Sequence, residues 1–450
     1  MNKKVGFISL GCAKNLTDTE TMLAILSDGG MDIVSEPETA DILVVNTCAF
    51  IDSAKAESID AILEMAQYKQ KNCRLLVVTG CLAQRYKDEI FSEIPEVDIV
   101  LGTNDYNKIL DAIKNYYEDN EKLIKVSDAD AHITENLPRI LSTPSYSAYI
   151  KIADGCDNFC TYCIIPKLRG KYRSRPFADI VAEAEALAEN GVKELILVAQ
   201  DTAYYGKDGS GDELCKLLKE LSKIEGIKWI RLQYCYPENI SDELIDEIAN
   251  NEKIVKYIDM PLQHISDHVL KLMGRRSRKE AVENLIKKLR EKVPDIAIRT
   301  SIIVGFPNET QKDFDELKEF LLKYRLDRVG VFTYSKEEDT PAYSMDGHID
   351  EDIKQSRMEI LMAQQKEISA QINKEKIGKT AEVIVEGYDE QNFCYVGRSS
   401  IDTPDVDGMA YIYSENELFA GDIVETQIID AHEYDITGKV KRRKYYEHSE

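Results

Sequence analysis

Short apolar runs recur along the first hundred residues of the chain, and each ends in a cysteine. The runs occupy residues 5–12, 41–48 and 74–81, and stretches with helical spacing follow the first two, at residues 17–27 and 52–70. Apolar strands that alternate with helices are typical of a parallel sheet covered by helices. The pattern predicts an α/β, doubly wound parallel-sheet domain over residues 1–120.

Six further strand-like runs, separated by helical ones, occupy the middle of the chain. They lie at residues 149–153, 194–199, 229–235, 257–260, 298–305 and 328–334. A closed barrel of alternating strands and helices has eight such units, so six units predict an open, partial (β/α)6 barrel over residues 142–376. In that architecture the loops at the carboxyl ends of the strands build the site.

Two different patterns follow the predicted barrel. A polar helical stretch at residues 350–376 carries an apolar stripe, which we expect to pack on the barrel or on the next domain. The stripe consists of Met358, Leu361, Ile368 and Ile372. From residue 377 the chain shows short strands and turns, which predict a small antiparallel β-barrel over residues 377–438. We expect a linker at residues 121–141 and a basic, disordered tail at residues 439–450.

Composition narrows the class of protein. The 450 residues, 43% of them hydrophobic, suffice for two or three domains with buried cores. A formal net charge of −24 repels nucleic acid unless positive charge is concentrated locally. The apolar stretch near the start is too short for a secretion signal, and no run reaches the length of a membrane span. Together with ten cysteines, these features predict a cytoplasmic protein whose reduced thiols ligate metal.

Three cysteines with a three-then-two spacing follow the first strand of the predicted barrel: Cys156, Cys160 and Cys163. Three thiolates on one loop hold three irons of a cubane iron–sulfur cluster and leave the fourth iron open for chemistry, because a cubane that only carries electrons normally takes four cysteines. The alternative is a structural zinc site, which needs a fourth ligand. No Cys or His occurs between Cys163 and Cys215, but spacing alone leaves a distant fourth ligand open.

The three strands of the first domain end in Cys12, Cys48 and Cys81. Since the carboxyl ends of parallel strands meet at one edge of a sheet, we expect these cysteines to converge and to ligate a second cluster. The alternative is that they are small buried residues, as free cysteines commonly are. Repetition at the same strand end favours ligation. Cys73 precedes its strand, so we interpret it as structural.

These two cysteine patterns resemble those of the radical S-adenosylmethionine methylthiotransferases, and the resemblance covers nearly the whole chain. It matches Cys156, Cys160 and Cys163 to the radical motif and the other triad to the family's amino-terminal cluster domain. The carboxyl-terminal segment resembles the small barrel called TRAM. The resemblance implies two [4Fe-4S] clusters and S-adenosyl-L-methionine as cofactors, and assigns no catalytic side chain.

The resemblance also implies a mechanism. One electron, from a low-potential donor such as a flavodoxin or ferredoxin, cleaves an S-adenosylmethionine held on the open iron and yields a 5′-deoxyadenosyl radical. A second S-adenosylmethionine methylates a sulfur species on the first cluster. The radical removes hydrogen from an unactivated substrate carbon, which then captures the methylthio group.

Weaker candidates for cofactor binding lie near the predicted carboxyl ends of the barrel strands. The resemblance places Tyr162 near adenine, with plain loop packing as the alternative. The segment from Ile303 to Glu309 resembles the superfamily's adenosine-binding turn, in which Gly305 lets the backbone approach the ligand, although a plain strand-to-helix turn needs similar residues. Position alone adds Gln200, Asp201, Gln263 and His264. We do not expect His264 to ligate metal.

The charge of the predicted small barrel bears on the substrate, because one branch of the family modifies an adenosine in transfer RNA and the other an aspartate of a small-subunit ribosomal protein. Between residues 377 and 436 two basic residues stand against fourteen acidic ones. Such a barrel is poorly suited to RNA and suits a basic ribosomal protein, although an ordinary solvated acidic surface is the alternative. Motifs around Cys12, Cys48 and Cys81 also resemble the protein-modifying branch. An iron–sulfur carrier without chemistry of its own is a further alternative.

A basic segment after the cysteine loop favours the opposite conclusion. Its five basic residues occupy alternate positions, so an extended backbone would place all of them on one face. There they could bind RNA or a carboxylate; the alternative is a loop that is only solvated. They are Lys167, Arg169, Lys171, Arg173 and Arg175. We expect the basic tail to contribute little to substrate choice.

Overall fold

The computed structural model describes residues 3–131, 137–209 and 211–443. The amino-terminal domain is built on a six-stranded parallel sheet with the strand order β2-β1-β3-β4-β5-β6. Its strands are β1 (Lys4–Ser9), β2 (Asp32–Val34), β3 (Ile42–Thr47), β4 (Leu75–Gly80), β5 (Ile99–Leu101) and β6 (Leu123–Lys125). Its helices are α1 (Ala13–Asp28), α2 (Asp52–Ala66), α3 (Cys81–Arg85), α4 (Lys87–Glu93) and α5 (Ile109–Asp119).

Helices cover both faces of this sheet. Met22 of α1 and Ile113 of α5 share one core with the strands, whereas Ile62 of α2 and Leu82 of α3 belong to a second core on the other face. Every residue of β3 and β4 is buried, as expected for the centre of a parallel sheet. The predicted doubly wound domain is confirmed. Strands β2, β5 and β6 have three residues each, too few to show a period, and β6 lies inside the stretch that we predicted to be linker.

The central domain has strands β7 (Ser147–Lys151), β8 (Ala153–Asp154), β9 (Arg173–Ser174), β10 (Glu194–Val198), β11 (Trp229–Leu232), β12 (Tyr257–Asp259), β13 (Ala297–Val304) and β14 (Arg328–Thr333). Its helices are α6 (Ile165–Arg169), α7 (Phe177–Glu189), α8 (Leu214–Leu221), α9 (Asp242–Asn250), α10 (Asp267–Leu272), α11 (Lys279–Lys292), α12 (Gln311–Tyr324) and α13 (Glu351–Lys374). Strands β8 and β9 form a short antiparallel ribbon that flanks the cysteine loop.

The six longer strands form the predicted partial barrel in two halves. Strands β7, β10 and β11 make one parallel sheet, and β12, β13 and β14 make the other. Between the halves, Ile230 accepts a hydrogen bond from the Val255 amide at 3.1 Å and donates one to the Lys253 carbonyl at 2.7 Å. A single hydrophobic core runs through both halves. Within the described residues no ladder joins β7 to β14, so the barrel is open as predicted.

Helix α13 packs along the partial barrel and reaches the last domain. Leu361 and Ile368 of its apolar stripe are buried, and the stripe lies against β14. Near its end, the Asn373 side chain donates to the carbonyl of His432. The expected packing of this helix is confirmed. Among the described residues, no helix is long and apolar enough to span a bilayer.

The carboxyl-terminal domain is a closed barrel with the order β15-β16-β17-β19-β18. Its strands are β15 (Thr380–Asp389), β16 (Cys394–Ser399), β17 (Ala410–Tyr413), β18 (Ile423–Ala431) and β19 (Ile436–Arg443). Neighbouring strands are antiparallel except β17 and β19, which are parallel. A small barrel was predicted, but not this parallel seam.

The predicted start of the basic tail was wrong. Strand β19 continues to Arg443, so residues 439–443 belong to the barrel rather than to a disordered tail. Val440 packs against the barrel core between Lys439 and Lys441, which are exposed. This is the two-residue alternation of a half-buried strand, and the charges concealed it in the sequence. Residues 444–450 of the predicted tail lie outside the described residues.

A buried ion cluster fixes the small barrel to the central domain. Arg398 of β16 pairs with Glu194 at the start of β10, and Glu194 also accepts from Arg231 at 2.9 Å. The Arg398 Nε donates to Glu386 at 2.9 Å. Burial raises the pKa of Glu194, but the two guanidiniums more than offset it and lower that pKa to about 2, so the carboxylate is charged at neutral pH.

We expect the Arg398→Met substitution to destabilise the docked barrel. Without Arg398 the buried Glu194 keeps only Arg231 of its two arginine partners and Glu386 loses its cation, and this loss of compensation costs roughly 3 kcal/mol. Thermal unfolding followed by circular dichroism should therefore show a clearly lower melting temperature. The matched control is Lys439→Met, because the Lys439–Glu415 pair is exposed and its loss should barely change that temperature. Equal melting temperatures for the two variants would contradict the assigned role of Arg398.

Candidate functional site

The three cysteines of the amino-terminal domain lie at the carboxyl edge of its sheet. Cys12 follows β1, Cys48 follows β3 and Cys81 follows β4. The strand order reverses between β1 and β3, which opens a crevice at that edge. A Cβ atom on Gly11 would lie 3.2 Å from the Cys48 Sγ, so the loops carrying Cys12 and Cys48 touch. The Cys81 Sγ lies 3.8 Å from Oδ1 of Asn15, which begins α1 just after Cys12. The structure thus brings the three predicted residues together.

The thiols of this triad have different electrostatic surroundings. Cys12 keeps solvent access on one side but is otherwise enclosed, and this enclosure raises its pKa. Positive charge on Lys14 and Arg169 more than offsets that effect, so the pKa of Cys12 lies below its usual value. Burial raises the pKa of Cys81 to about 12 and also raises that of Cys48. Proximity to the other thiols adds to both increases, because like charges repel.

The loop that carries the second triad is fastened at both ends. The Cys156 amide donates to the Gly170 carbonyl at 3.0 Å, and the Thr161 amide donates to the Met273 carbonyl at 2.9 Å. Gly155 has a φ of +77°, and a Cβ atom there would lie 1.9 Å from the Lys171 carbonyl oxygen. Only glycine fits this position, so the entry to the loop depends on it.

The sulfur atoms of this loop are held among polar side chains. Asn158 Nδ2 lies 3.6 Å from the Cys156 Sγ, and the Tyr236 hydroxyl lies 3.4 Å from the Cys160 Sγ. Burial raises the pKa of Cys156 to about 11 and raises that of Cys163 further, and the neighbouring Cys160 adds to both. Burial and mutual repulsion disfavour the thiolate form of these cysteines. A positively charged metal reverses this preference, because it displaces the thiol protons and attracts the thiolates. The donor set therefore fits an iron–sulfur cluster.

Within the described residues, no three or more His, Cys, Asp or Glu side chains are arranged to hold one metal ion. A cubane cluster takes one thiolate at each iron, whereas a single zinc ion takes all of its ligands directly.

A buried polar network joins the two triads across the domain boundary. Arg169 is 1% exposed and donates to Asp154 at 2.8 Å, two residues before Cys156. The same guanidinium donates to Asn15 at 2.5 Å and to Asp18 at 3.1 Å, both on the helix that follows Cys12. Arg169 thus bridges the segments that carry the two cysteine sets.

Lys151 completes this network. Its ammonium pairs with Asp18 and lies 3.3 Å from Asp154. Burial raises the pKa of Asp154, but Arg169 and Lys151 more than offset it, so that pKa falls well below its usual value. The Asp154 carboxylate is therefore held charged against these two cations. The sequence pattern did not single out Lys151, Asp18 or Asp154; the available signal was the run of polar residues at 17–21, in a helix that is expected to pack on a sheet.

The predicted alternation of five basic residues on one face is wrong. Residues 165–169 form helix α6, and Gly170 follows with a φ of +71°. Lys167 is exposed and Arg169 is buried, while Arg175 pairs with Glu183 at 2.7 Å. The chain therefore turns within this segment, and most of its basic side chains pair with groups of the protein itself.

Tyr162 packs in an aromatic cluster with Phe306, the residue that follows Gly305. The Tyr162 ring meets the Phe306 ring edge to face at 6.3 Å, close to the charges of Cys160 and Arg275. Gly305 has a φ of +73°, and a Cβ atom there would lie 2.2 Å from Cγ of Lys354 in α13. The glycine is therefore required by protein packing. Adenine and adenosine contacts for these residues remain predictions.

Gln200 and Asp201 contact the cysteine loop or its immediate supports. Gln200 donates to Asp154 at 3.1 Å. Asp201 accepts from Asn239 at 2.6 Å and from Asn158 at 3.4 Å, and Asn158 in turn contacts Cys156. Burial raises the pKa of Asp201 to about 6, although these hydrogen bonds partly counteract it.

Among the described residues, the hydrogen bonds of Gln263 and His264 are made to segments other than the two cysteine loops. The Gln263 amide donates to the Ser301 carbonyl of β13 at 2.8 Å. His264 is fully buried, and its Nδ1 accepts from the Ser266 amide at 3.0 Å. Burial lowers the pKa of His264 to about 3, so the ring is neutral. Cys73 is buried before β4 and packs in the sheet core, as interpreted from the sequence.

A cavity of about 300 Å³ lies where the three domains meet. The amino-terminal domain contributes residues 9–13 and 16, including Cys12, and the small barrel contributes residues 403–406. The central domain contributes Tyr149, Gln233, Tyr234, Asp259 and Arg299. Tyr234 has a φ of +60°, rare for a bulky side chain, and Lys14 Nζ stands 4.0 Å from its ring centroid. The cavity gives a small side chain access to the Cys12 loop.

Three family models match the chain. One described as an uncharacterized protein family, UPF0004, matches residues 4–102, the radical SAM superfamily matches residues 150–321, and the TRAM domain matches residues 377–440. Each match falls within one structural domain.

Curated relatives match over nearly their full length. A ribosomal protein uS12 methylthiotransferase RimO of Clostridium botulinum (strain Eklund 17B / Type B) is 56% identical over 441 residues, which cover 97% of this chain and 98% of the relative. The protein of the same name from Acetivibrio thermocellus is 52% identical, covering 98% and 99%. The one from Thermoanaerobacter sp. (strain X514) is 50% identical, covering 97% and 100%.

Solved structures show the fold at lower identity. The radical S-adenosylmethionine methyltransferase TsrM of Kitasatospora setae, solved with cobalamin and a [4Fe-4S] cluster, gives a TM-score of 0.56 at 15% identity over 76% of this chain and 74% of that one. The cobalamin-dependent S-adenosylmethionine radical enzyme OxsB gives 0.51 at 12% identity over 76% and 54%. These likenesses extend beyond the central domain.

We expect Arg169→Met to destabilise the protein far more than Lys167→Met. Both residues lie on α6, but Arg169 compensates two buried carboxylates, whereas Lys167 is 61% exposed in its pair with Asp339. Breaking the buried arrangement should cost about 3–5 kcal/mol, and the exposed pair should contribute almost nothing. Urea unfolding of both variants measures the difference, and similar midpoints would contradict the bridging role.

Proposed function

Because this chain belongs to the RimO family of ribosomal protein uS12 methylthiotransferases, which are radical S-adenosylmethionine enzymes, we propose that it methylthiolates the β-carbon of an aspartate in that small-subunit ribosomal protein. The reaction would use two [4Fe-4S] clusters and two S-adenosyl-L-methionine molecules, one as methyl donor and one as radical source. The observation that carries the proposal is the pair of cysteine triads on adjacent domains, joined by the buried Arg169 network.

The two triads would hold the clusters. Cys12, Cys48 and Cys81 would ligate the first, and Cys156, Cys160 and Cys163 the second. When bound, the clusters supply a site for the sulfur species and the electron that cleaves S-adenosylmethionine, in each case at an iron without a cysteine ligand. The two reactions need separate sites, because methyl transfer is polar chemistry and the radical must be kept from water.

Side chains of the central domain would prepare the second site. Asp201 accepts from Asn158, which fixes the amide beside the Cys156 sulfur. Tyr162 packs on Phe306 and fixes the turn between Cys160 and Cys163. We keep Tyr162, Gly305, Gln200, Asp201, Gln263 and His264 as proposed S-adenosylmethionine-binding residues. The contacts of Gln200 and Asp201 favour them most, and the interior position of His264 favours it least.

The small barrel would contribute the affinity for a basic protein. From residue 377 to residue 443 it carries fourteen acidic and six basic residues, so strand β19 reduces the predicted acidic excess without reversing it. Arg398, one of those six, is buried against Glu194 and adds nothing to the surface. An acidic surface raises the encounter rate with a basic ribosomal protein and weakens RNA binding. A cytoplasmic location and a flavodoxin or ferredoxin as electron donor complete the proposal; transfer-RNA adenosine is the alternative substrate.

We expect iron and sulfide analysis to reveal two independent clusters. A Cys156/Cys160/Cys163 triple alanine variant should retain about half of the wild-type iron, and the Cys12/Cys48/Cys81 variant should do the same. Cys73→Ala is the control, since that thiol packs in the core and should leave the iron content unchanged. Complete loss of iron in either triple variant would contradict separate ligand sets.

The substrate is tested by offering ribosomal protein uS12 and transfer RNA to the reduced, reconstituted enzyme with S-adenosylmethionine. We expect the mass of uS12 to rise by one methylthio group, with 5′-deoxyadenosine formed in the same reaction. Modification of RNA alone would favour the alternative substrate. Absence of 5′-deoxyadenosine would indicate a carrier without radical chemistry.

A further inference from the structure

Among the described residues that line the cavity between the three domains, one side chain is cationic, Arg299. Arg299 is the third residue of β13, and its side chain is 16% exposed. The same cavity is lined by Cys12, so a group bound at Arg299 shares an enclosed space with the first triad. Arginine is uncommon in a buried parallel strand, and its position here indicates a role in the cavity.

Two carboxylates from different domains hold this guanidinium in place. Nη1 donates to Asp259 Oδ1 of β12 at 3.0 Å, and Nε lies 3.6 Å from Asp407 Oδ1 of the small barrel. In the described part of the chain, the bond to Asp259 is the only hydrogen bond of the guanidinium, and none of its nitrogens is both buried and unpartnered. Its remaining N–H groups are therefore directed toward solvent-accessible space.

A guanidinium held in this way is prepared for a planar anion. Its parallel N–H groups match the two oxygens of a carboxylate, and their preset orientation reduces the entropy lost on binding. Asp259 and Asp407 both lie beside Arg299 and compensate its charge, so binding of a further carboxylate depends on the N–H groups that these two leave free rather than on net charge. Asp405, the other acidic residue of the lining, is exposed to water. Water screens Asp405, so it does not prevent a carboxylate from approaching.

Tyr234 connects Arg299 with the first triad. Its side chain lines the cavity together with Cys12 and Arg299. The Tyr234 amide donates to Asp259 Oδ2 at 3.1 Å, so the carboxylate that orients Arg299 also fixes the strained backbone of Tyr234.

We propose that Arg299 binds the side-chain carboxylate of the substrate aspartate and so selects aspartate over its amide. The inference rests on the proposed function, because it concerns the substrate of that reaction. The reacting β-carbon is bonded to the carboxyl carbon, and two hydrogen bonds to the carboxylate would hold that carbon in the cavity lined by Cys12. An asparagine would present an NH₂ group to the N–H donors of Arg299 and leave a donor unpaired.

The test compares two peptides that span the modified segment of uS12, with Asp or Asn at the target position. Their dissociation constants are measured on reconstituted wild type, Arg299→Gln, Arg299→Lys and Arg290→Gln by fluorescence anisotropy. We expect wild type to bind the Asp peptide at least about tenfold more tightly than the Asn peptide. Arg299→Gln should bind both equally, and Arg299→Lys should keep only part of the preference, because an ammonium lacks the planar fork.

Arg290→Gln is the matched control, because it makes the same change at an exposed arginine of α11 that does not line the cavity. It should retain the preference for aspartate, and iron content and melting temperature show whether each variant is folded. An unchanged Asp-to-Asn ratio in Arg299→Gln would overturn the inference. If that variant does not fold, an undiminished ratio in Arg299→Lys overturns it equally. Failure of the wild type to methylthiolate uS12 would instead overturn the proposed function, and this inference with it.

Discussion

The arrangement of this molecule depends on one buried guanidinium. Arg169 contacts Asp154 before the second cysteine loop and Asn15 and Asp18 after the first cysteine, so a single side chain relates the positions of both triads. Burying this charge is costly, and only a full set of partners compensates for it. A hydrophobic contact would join the domains with less cost but with less directional control. The interaction therefore fits a need for fixed geometry more than a need for stability.

The small barrel is fixed by the same physical means. Glu194, at the start of β10, lies between Arg398 of the barrel and Arg231 of β11. Asp402 of the barrel pairs with Arg328 at 2.6 Å, and Asp407 faces Arg299. Part of the barrel's acidic content thus serves docking to the central domain. Because its loop at residues 403–406 closes one side of the cavity, the barrel also shapes the site itself.

Separate domains give the two cysteine sets different surroundings. The first triad lies at a sheet edge beside a cavity, with Cys12 open to solvent on one side and influenced by Lys14. The second lies in a loop whose cysteines are mostly buried, fastened to the segments after α6 and α10. An accessible first site suits the proposed transfer of a sulfur group to a substrate entering the cavity. A more enclosed second site suits the proposed radical, which must be kept from water.

The sequence by itself determined the features that depend on neighbouring residues. Apolar periodicity predicted the doubly wound sheet and the six-unit partial barrel, and strand-end position predicted that Cys12, Cys48 and Cys81 would meet, since covalent spacing controls both. The predictions from sequence were wrong where one local pattern is compatible with two structures. The basic residues of β19 were interpreted as a disordered tail rather than a strand, and Arg169 was grouped with its exposed neighbours. Only the tertiary structure decided that Arg169 is buried against Asp18, that Arg398 reaches Glu194, and that Arg299 shares a cavity with Cys12. These partners lie far apart in the sequence, so their contacts follow from how the domains pack and leave no periodic trace in the chain.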